Sequence, residues 1–402
     1  MAKNYCILSN IFFIFLLFPY TTFGLPSYSD SQPYSVLYGF FLIIILLFSD
    51  KFKRFPKYIW GLWFFAILCI LNDTIFLIFY NNKLIDYFSY IFKYLSFAII
   101  VPLVLLLLKK IDERLLKVTI LLWWLISNLQ FILRKPLIDF LLPRASYNFA
   151  RSWVIGFAPE PGYLSKVCIF FILLIDYFFL NDQINKKEAF LYKLLCFWMI
   201  IISYSLTGYL LLFIYLFVSL FNYIFNFKGL SLKKVILSLG LISSIIIAVP
   251  FFITRIINLT FILQGRIGFF LETTLKSKSL VNVIIEDSSF KARFSHIQRS
   301  LSTFFCGHFF GNGDFSQNTG SLFSPLYDSG FYGALFVSII VFGFIFTLFK
   351  IKDRTTRFYS LKVLIMFFFM TFSESLATNY IAVLLGINLH LCYEANKSTI
   401  TE

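Results

Sequence analysis

Apolar runs of about 20 residues, almost free of charge, recur from end to end of this 402-residue chain. A run of that length crosses the hydrocarbon of a bilayer as an α-helix, because lipid offers no partner for backbone polar groups and a helix pairs them internally. The alternatives fail on charge. Only 14% of the residues are Asp, Glu, Lys or Arg, against 59% hydrophobic; a soluble domain carries roughly a quarter charged residues, and disorder needs low hydrophobicity and high charge. Twelve candidate spans follow: 7–23, 35–49, 58–80, 84–108, 118–133, 161–180, 189–206, 208–227, 235–253, 326–349, 358–373 and 377–393. The expected fold is therefore an all-α polytopic transmembrane bundle of about 12 spans, a single integral membrane domain over 1–402. The first segment has a second reading as a cleavable signal peptide, with Lys3 before the apolar run and a weak small-residue site at Thr22-Phe-Gly24.

The formal charge of +15 sorts by side once the spans are drawn. With the N-terminus inside, every short inner loop is basic, as the positive-inside rule requires, and both termini are cytoplasmic. Most of the positive charge is then topology and implies no nucleic acid. The outer cations differ in kind. Seven of the twelve are arginine (Arg134, Arg144, Arg151, Arg255, Arg266, Arg293 and Arg299), whereas only four of the 21 inner ones are. Lysine satisfies the topology rule, but arginine presents a planar fork that binds phosphate oxygens in pairs. An arginine-rich outer face points to an anionic, lipid-linked ligand; salt bridges to outer carboxylates such as Asp139, Glu272, Glu286 and Asp287 are the plainer reading. No cysteine pattern fits a disulfide framework or a zinc site, and no nucleotide-binding motif is present.

Two large outer loops, 134–160 and 254–325, are too hydrophobic for disorder and are expected to fold against the membrane face. In the first, Pro159 and Pro161 bracket Glu160, which stiffens the backbone there. Pro161 suits the first turn of the next helix, placing Glu160 at a helix N-terminus. Lys166 follows inside that helix, and an ammonium in a span needs a partner or a short reach to the interface. Glu160, Lys166 and Arg151 are thus expected to share a polar outer pocket, unless Glu160 simply caps the helix and Lys166 snorkels. In the second loop, Phe290, Phe294, Ile297, Leu301, Phe304 and Phe305 recur at helical spacing, predicting an amphipathic helix over 288–305 in the plane of the interface. Arg293 lies at the edge of its apolar stripe, Arg299 on the wet face and His296 on the polar flank. Gly311-Asn-Gly313 reads as a turn. Asp73 and Lys93, facing each other across the hairpin of the third and fourth spans, are expected to pair.

Three segments, taken in order, carry a resemblance. Arg151-Ser-Trp-Val-Ile-Gly-Phe-Ala-Pro-Glu160-Pro161-Gly-Tyr is similar to an Arg-then-Glu-Pro segment before a span. Ser203-Tyr-Ser205-Leu-Thr207-Gly208 is similar to a short Ser/Thr-Gly turn between two spans. Asp287-Ser-Ser-Phe-Lys-Ala-Arg293, Gly311-Asn-Gly313 and Gly330-Phe-Tyr-Gly333 are similar to a second-loop pattern. Together with the topology, they make the chain resemble bacterial O-antigen polymerases of the Wzy type, within the group that includes O-antigen ligases. The resemblance implies transfer of a growing glycan from undecaprenyl pyrophosphate to a new lipid-linked repeat unit, at the periplasmic face of the inner membrane. The donor is already activated, so no cofactor is implied; with no metal motif in the sequence, metal independence is expected, and restoration of chelated enzyme by magnesium would contradict it. The implied partners are undecaprenyl-pyrophosphate-linked oligosaccharide, membrane lipid and a chain-length-determining co-polymerase. Arg151, Lys166, Arg266 and Arg293 would hold the pyrophosphate. Glu160 would act as base or orient an arginine, with Asp287 behind it. Ligases of the group commonly carry histidines before the last Gly-x-x-Gly; here 318–327 has none, which favours polymerase. A lipid-linked oligosaccharide flippase is the alternative of another class, but it would place its cations in a central cavity.

Overall fold

The computed structural model describes residues 2–22, 31–48, 55–79, 84–135, 137–142, 154–225, 288–313, 320–372 and 374–398. Among the described residues every regular element is helical: α1 (Ala2–Leu17), α2 (Tyr34–Leu47), α3 (Lys57–Phe79), α4 (Leu84–Leu107), α5 (Glu113–Leu133), α6 (Pro161–Leu180), α7 (Lys186–Ile202), α8 (Leu206–Phe225), α9 (Ser288–Phe305), α10 (Ser324–Lys350), α11 (Arg354–Thr371) and α12 (Asn379–Ser398). Eleven of the twelve expected spans coincide with helices; the ninth, 235–253, lies outside the described residues. Among the described residues, five stretches are long and apolar enough to cross a membrane: Lys57–Phe79, Tyr90–Lys110, Glu113–Leu133, Pro161–Leu180 and Ser324–Lys350. The first helix starts earlier and ends sooner than expected, at Leu17, and Tyr20, Thr21 and Thr22 beyond it are buried in the bundle.

The solvent for this fold is readable on α3. Trp60, Phe64, Ile67, Leu71, Ile75 and Ile78 are all exposed and recur every three or four residues, forming one apolar outer stripe. The opposite face buries Ile59, Leu62, Ala66, Cys69, Asp73 and Phe76. A helix whose polar residues face inward while large apolar ones face outward is built for lipid. α6 is different: Val167 through Ile175 are fully buried, as an all-round apolar helix must be at the centre of a bundle. α12 is likewise buried along Tyr380–Leu385, and it packs on α4, α10 and α11. α3, α5 and α10 therefore form part of the rim around a core of α4, α6 and α12.

The two ends of the bundle differ. At one end Lys109 bonds Glu394 (2.9 Å) and Lys117 bonds Glu188 (3.1 Å). Three helices begin there with side-chain caps: Asp112 accepts from the Arg114 backbone N–H, Asn185 forms a capping box with Glu188, and Asp353 accepts from the Thr356 N–H. This end also carries Lys110, Lys186, Lys187, Lys350, Lys352, Arg354 and Arg357. At the other end, the loop after α5 folds back onto it. The Gln130 side-chain oxygen accepts from the N–H groups of Ile155 (3.0 Å) and Gly156 (2.7 Å), and its amide donates to the Gly156 carbonyl (3.2 Å). That anchor fixes the approach to Glu160 and α6.

Candidate functional site

α6 begins as its sequence dictates. Glu160 is extended (φ −148°, ψ 158°) and is the N-cap, and Pro161 occupies the first helical turn. The Glu160 carboxylate makes no capping bond to its own helix, unlike the caps at the basic end, and is half-buried. Lys166 does not snorkel. It is buried, and its Nζ lies 2.5 Å from Glu374 Oε2, with both side chains almost inaccessible. Its ammonium also stands 4.7 Å from the centre of the Tyr163 ring. Glu160 and Arg293 are both within electrostatic reach of it.

Glu374 is held from three sides. Beyond Lys166, its Oε1 accepts from the Thr378 hydroxyl (2.7 Å) and the Tyr20 hydroxyl (3.3 Å). Tyr20 in turn shares a 3.0 Å hydrogen bond with the Tyr380 hydroxyl. A buried carboxylate survives only with such a full set of partners. The Ser/Thr-Gly turn between α7 and α8 docks on the same part of α6. Ser165, next to Lys166, shares a 3.0 Å hydrogen bond with Ser203, and Ser205 caps α8 by accepting from the Gly208 N–H (3.2 Å). Gly208 is packed so closely that a Cβ there would overlap the Ser165 hydroxyl. Thr207, on the same turn, accepts a 3.4 Å bond from Arg293 Nη1, which carries α9 to the site.

The N-termini of α6 and α8 and the segment that opens α12 thus converge with a lysine and an arginine. Helix N-termini carry partial positive charge and free N–H groups, so the arrangement favours an anion. Of the residues expected from sequence, Glu160, Lys166 and Arg293 come together. Arg299 is exposed, on the far side of α9 as the helical wheel requires. Arg151, Arg266 and Asp287 lie outside the described residues. Glu374, Tyr20 and Tyr380 were missed; Thr207 lies in the Ser/Thr-Gly turn read from sequence, to which no contact was assigned. Glu374 did leave a signal, since a carboxylate between two apolar segments is costly unless it meets a cation.

No protein-family model matches the chain, and no curated protein matches it. The site therefore rests on its own geometry.

One further expectation is corrected nearby. The direct contact of Lys93 is with Asp328 at the start of α10; Asp73, the expected partner, stands within electrostatic reach of it. Asp73 Oδ1 instead accepts from the Ser329 hydroxyl at 2.7 Å. The cause is packing: α3 lies against α10 as well as α4, so its buried face meets both. His296, on the polar flank of α9 as read from sequence, is half-buried with its Nδ1 enclosed, and α9 packs along α10. Burial, and secondarily Arg299, holds its imidazole below the ordinary histidine value.

The glycine motifs are a packing device. The Asn312 N–H donates to the Tyr327 carbonyl and the Phe331 N–H to the Phe309 carbonyl, each at 2.8 Å. Gly330 interrupts α10 with φ 53° and ψ −120°, and Gly311 has φ 92°; both conformations are ones that a side chain would strain. The 309–313 turn is laid directly on the kinked start of α10, and Asn72 of α3 ties it down by donating to the Phe310 carbonyl (2.9 Å).

Proposed function

We propose that the protein is a membrane glycosyltransferase of the O-antigen polymerase kind. It would transfer glycan from undecaprenyl pyrophosphate to a new lipid-linked repeat unit at the periplasmic face of the bacterial inner membrane, with both termini cytoplasmic and about 12 spans. The observation that carries this reading is the convergence of Lys166, Arg293 and helix N-termini at the end of the bundle opposite the lysine-rich one. A departing pyrophosphate gains negative charge, and pre-placed cations and helix termini stabilise it without reorganisation. In this reading Lys166 and Arg293, joined by Arg151 and Arg266, bind the pyrophosphate. Glu160, uncommitted to its own helix and at the rim, takes the proton of the acceptor hydroxyl, with Asp287 as the alternative base. Glu374 positions Lys166 and keeps it charged. The partners are the lipid-linked oligosaccharide, surrounding lipid and a co-polymerase that sets chain length.

A deletion strain tests the reading. Loss of a polymerase leaves lipopolysaccharide core bearing a single repeat unit; loss of a ligase or flippase leaves bare core. A normal ladder in the mutant would exclude all three.

A further inference from the structure

Asp73, Lys93 and Asp328 form a second buried group, on α3, α4 and α10, which the proposed transfer site does not use. Its charges do not balance. Both carboxylates are buried and so is Lys93. Lys93 bonds Asp328 directly and stands 4.8 and 5.2 Å from the ring centres of Tyr90 and Tyr94. The Ser329 hydroxyl donates to Asp73 Oδ1 and shares a 2.9 Å hydrogen bond with the Tyr94 hydroxyl. One oxygen of each carboxylate, Asp73 Oδ2 and Asp328 Oδ1, is buried with no hydrogen-bond partner. The other titratable groups facing the cluster are Cys69, Tyr90 and Tyr94, and their ordinary forms at neutral pH are uncharged.

With both carboxylates ionised, the group would hold a net negative charge within the bundle, where charge is expensive, and two orphaned anionic oxygens besides. One bound proton corrects both faults. It neutralises the group and turns an acceptor-only carboxylate into a donor. Carboxylates that share a site do not both ionise freely, and their proton belongs to the pair. We infer that Asp73, Lys93 and Asp328 constitute a proton-binding site that holds one proton at neutral pH. The proton belongs to the pair of carboxylates. The site lies under the 309–313 turn: Asn72 beside Asp73 bonds the Phe310 carbonyl, and the Asp328 carbonyl abuts Gly311. It stands independently of the glycosyl-transfer reading.

Infrared spectroscopy of the purified full-length protein in lipid nanodiscs, in water and in deuterium oxide, reads the C=O stretch of a protonated carboxyl. The wild type at neutral pH should show this band, and alkali should remove it. Asp73→Asn and Asp328→Asn should each lose it, because the remaining carboxylate then ionises against Lys93. Lys93→Met should strengthen it about twofold, because both carboxyls then hold protons. Asp73→Asn keeps the side chain's shape and leaves Lys93 bonded to Asp328, so it should accumulate like the wild type and the test survives if Lys93→Met misfolds. No band in the wild type, or a band that persists in both aspartate variants, would overturn the inference. So would removal of the band by sodium chloride at constant pH, which would mark a metal-cation site instead.

Discussion

Glu374→Ala is the perturbation that bears most directly on the site. The Lys166 and Glu374 side chains are 3% and 1% exposed, so the alanine leaves a buried ammonium without its counter-charge. Breaking a buried pair from one side costs about 3–5 kcal/mol. The Thr378 hydroxyl also loses its acceptor, adding about 1 kcal/mol; Tyr20 retains its bond to Tyr380. A loss of about 4–6 kcal/mol is a large part of the 5–15 kcal/mol that typically holds a protein folded. Glu374→Gln keeps an oxygen for Thr378 and Tyr20 and should lose only the charge contribution, about 3 kcal/mol. Lys166→Met should cost less, because Glu374 then takes up a proton. The double variant Lys166→Met/Glu374→Gln has neither charge and should recover at least ~2 kcal/mol relative to the sum of the single losses. Unfolding by titration with denaturing detergent, followed through tryptophan fluorescence, gives the four stabilities; lipopolysaccharide ladders give function in parallel. Additive single losses would refute the coupling. The double variant also separates stability from chemistry: it should fold yet fail to make polymer, since the Lys166 cation is gone. A ladder from the folded double variant would reduce Lys166 to a structural role.

Arg293 and Arg299 offer a matched contrast on one helix. Arg293 is half-buried and reaches Thr207, while Arg299 is exposed, so Arg293→Ala should abolish polymer at unchanged protein level and Arg299→Ala should do far less. Equal, mild effects on the ladder would defeat the assignment. Gly208→Ala forces a methyl into the Ser165 hydroxyl and should destabilise by about 1–3 kcal/mol, as overpacking does. Ser165→Gly should relieve it in the double variant, and an unchanged unfolding midpoint for Gly208→Ala alone would show that the turn is not tightly docked.

What the sequence made legible is what depends on local pattern. Apolar periodicity located the helices because each must satisfy its backbone within itself, and the 288–305 helix follows from the same spacing. Glu160-Pro161 announced a helix start because proline fixes the first turn. Partner choice was not legible. Lys93 and Asp328 are 235 residues apart, and no local rule selects Asp328 over Asp73, which is closer in sequence. That choice depends on α10 packing against α3 and α4. Glu374 was hidden for the same reason: its value lies in meeting Lys166, 208 residues away.

Among the described residues, three buried charge groups differ in composition and in place. Near the basic end, Asp176 is bonded by Lys193, by Lys362 (2.9 Å) and by the Tyr215 hydroxyl (3.0 Å). That carboxylate is fully engaged, and the group ties α6, α7, α8 and α11 together. In the Asp73–Lys93–Asp328 group, the one cation is already bonded to a carboxylate, so the group leaves no uncompensated cation for an anion. At Lys166, one ammonium faces one carboxylate, Glu374, and beside them stand Glu160, the helix N-termini and the Arg293 guanidinium, which donates to Thr207. Among the described residues, cations and helix N-termini meet here at the end of the bundle opposite the lysine-rich one. A flippase moving a pyrophosphate across the membrane would need cations along its path; among the described residues Lys93 is matched by Asp328, and Lys193 and Lys362 share the one carboxylate of Asp176 near the basic end. Cations and helix termini at the end opposite the lysine-rich one suit a lipid-linked pyrophosphate whose charged head stays at that face while its sugar is transferred.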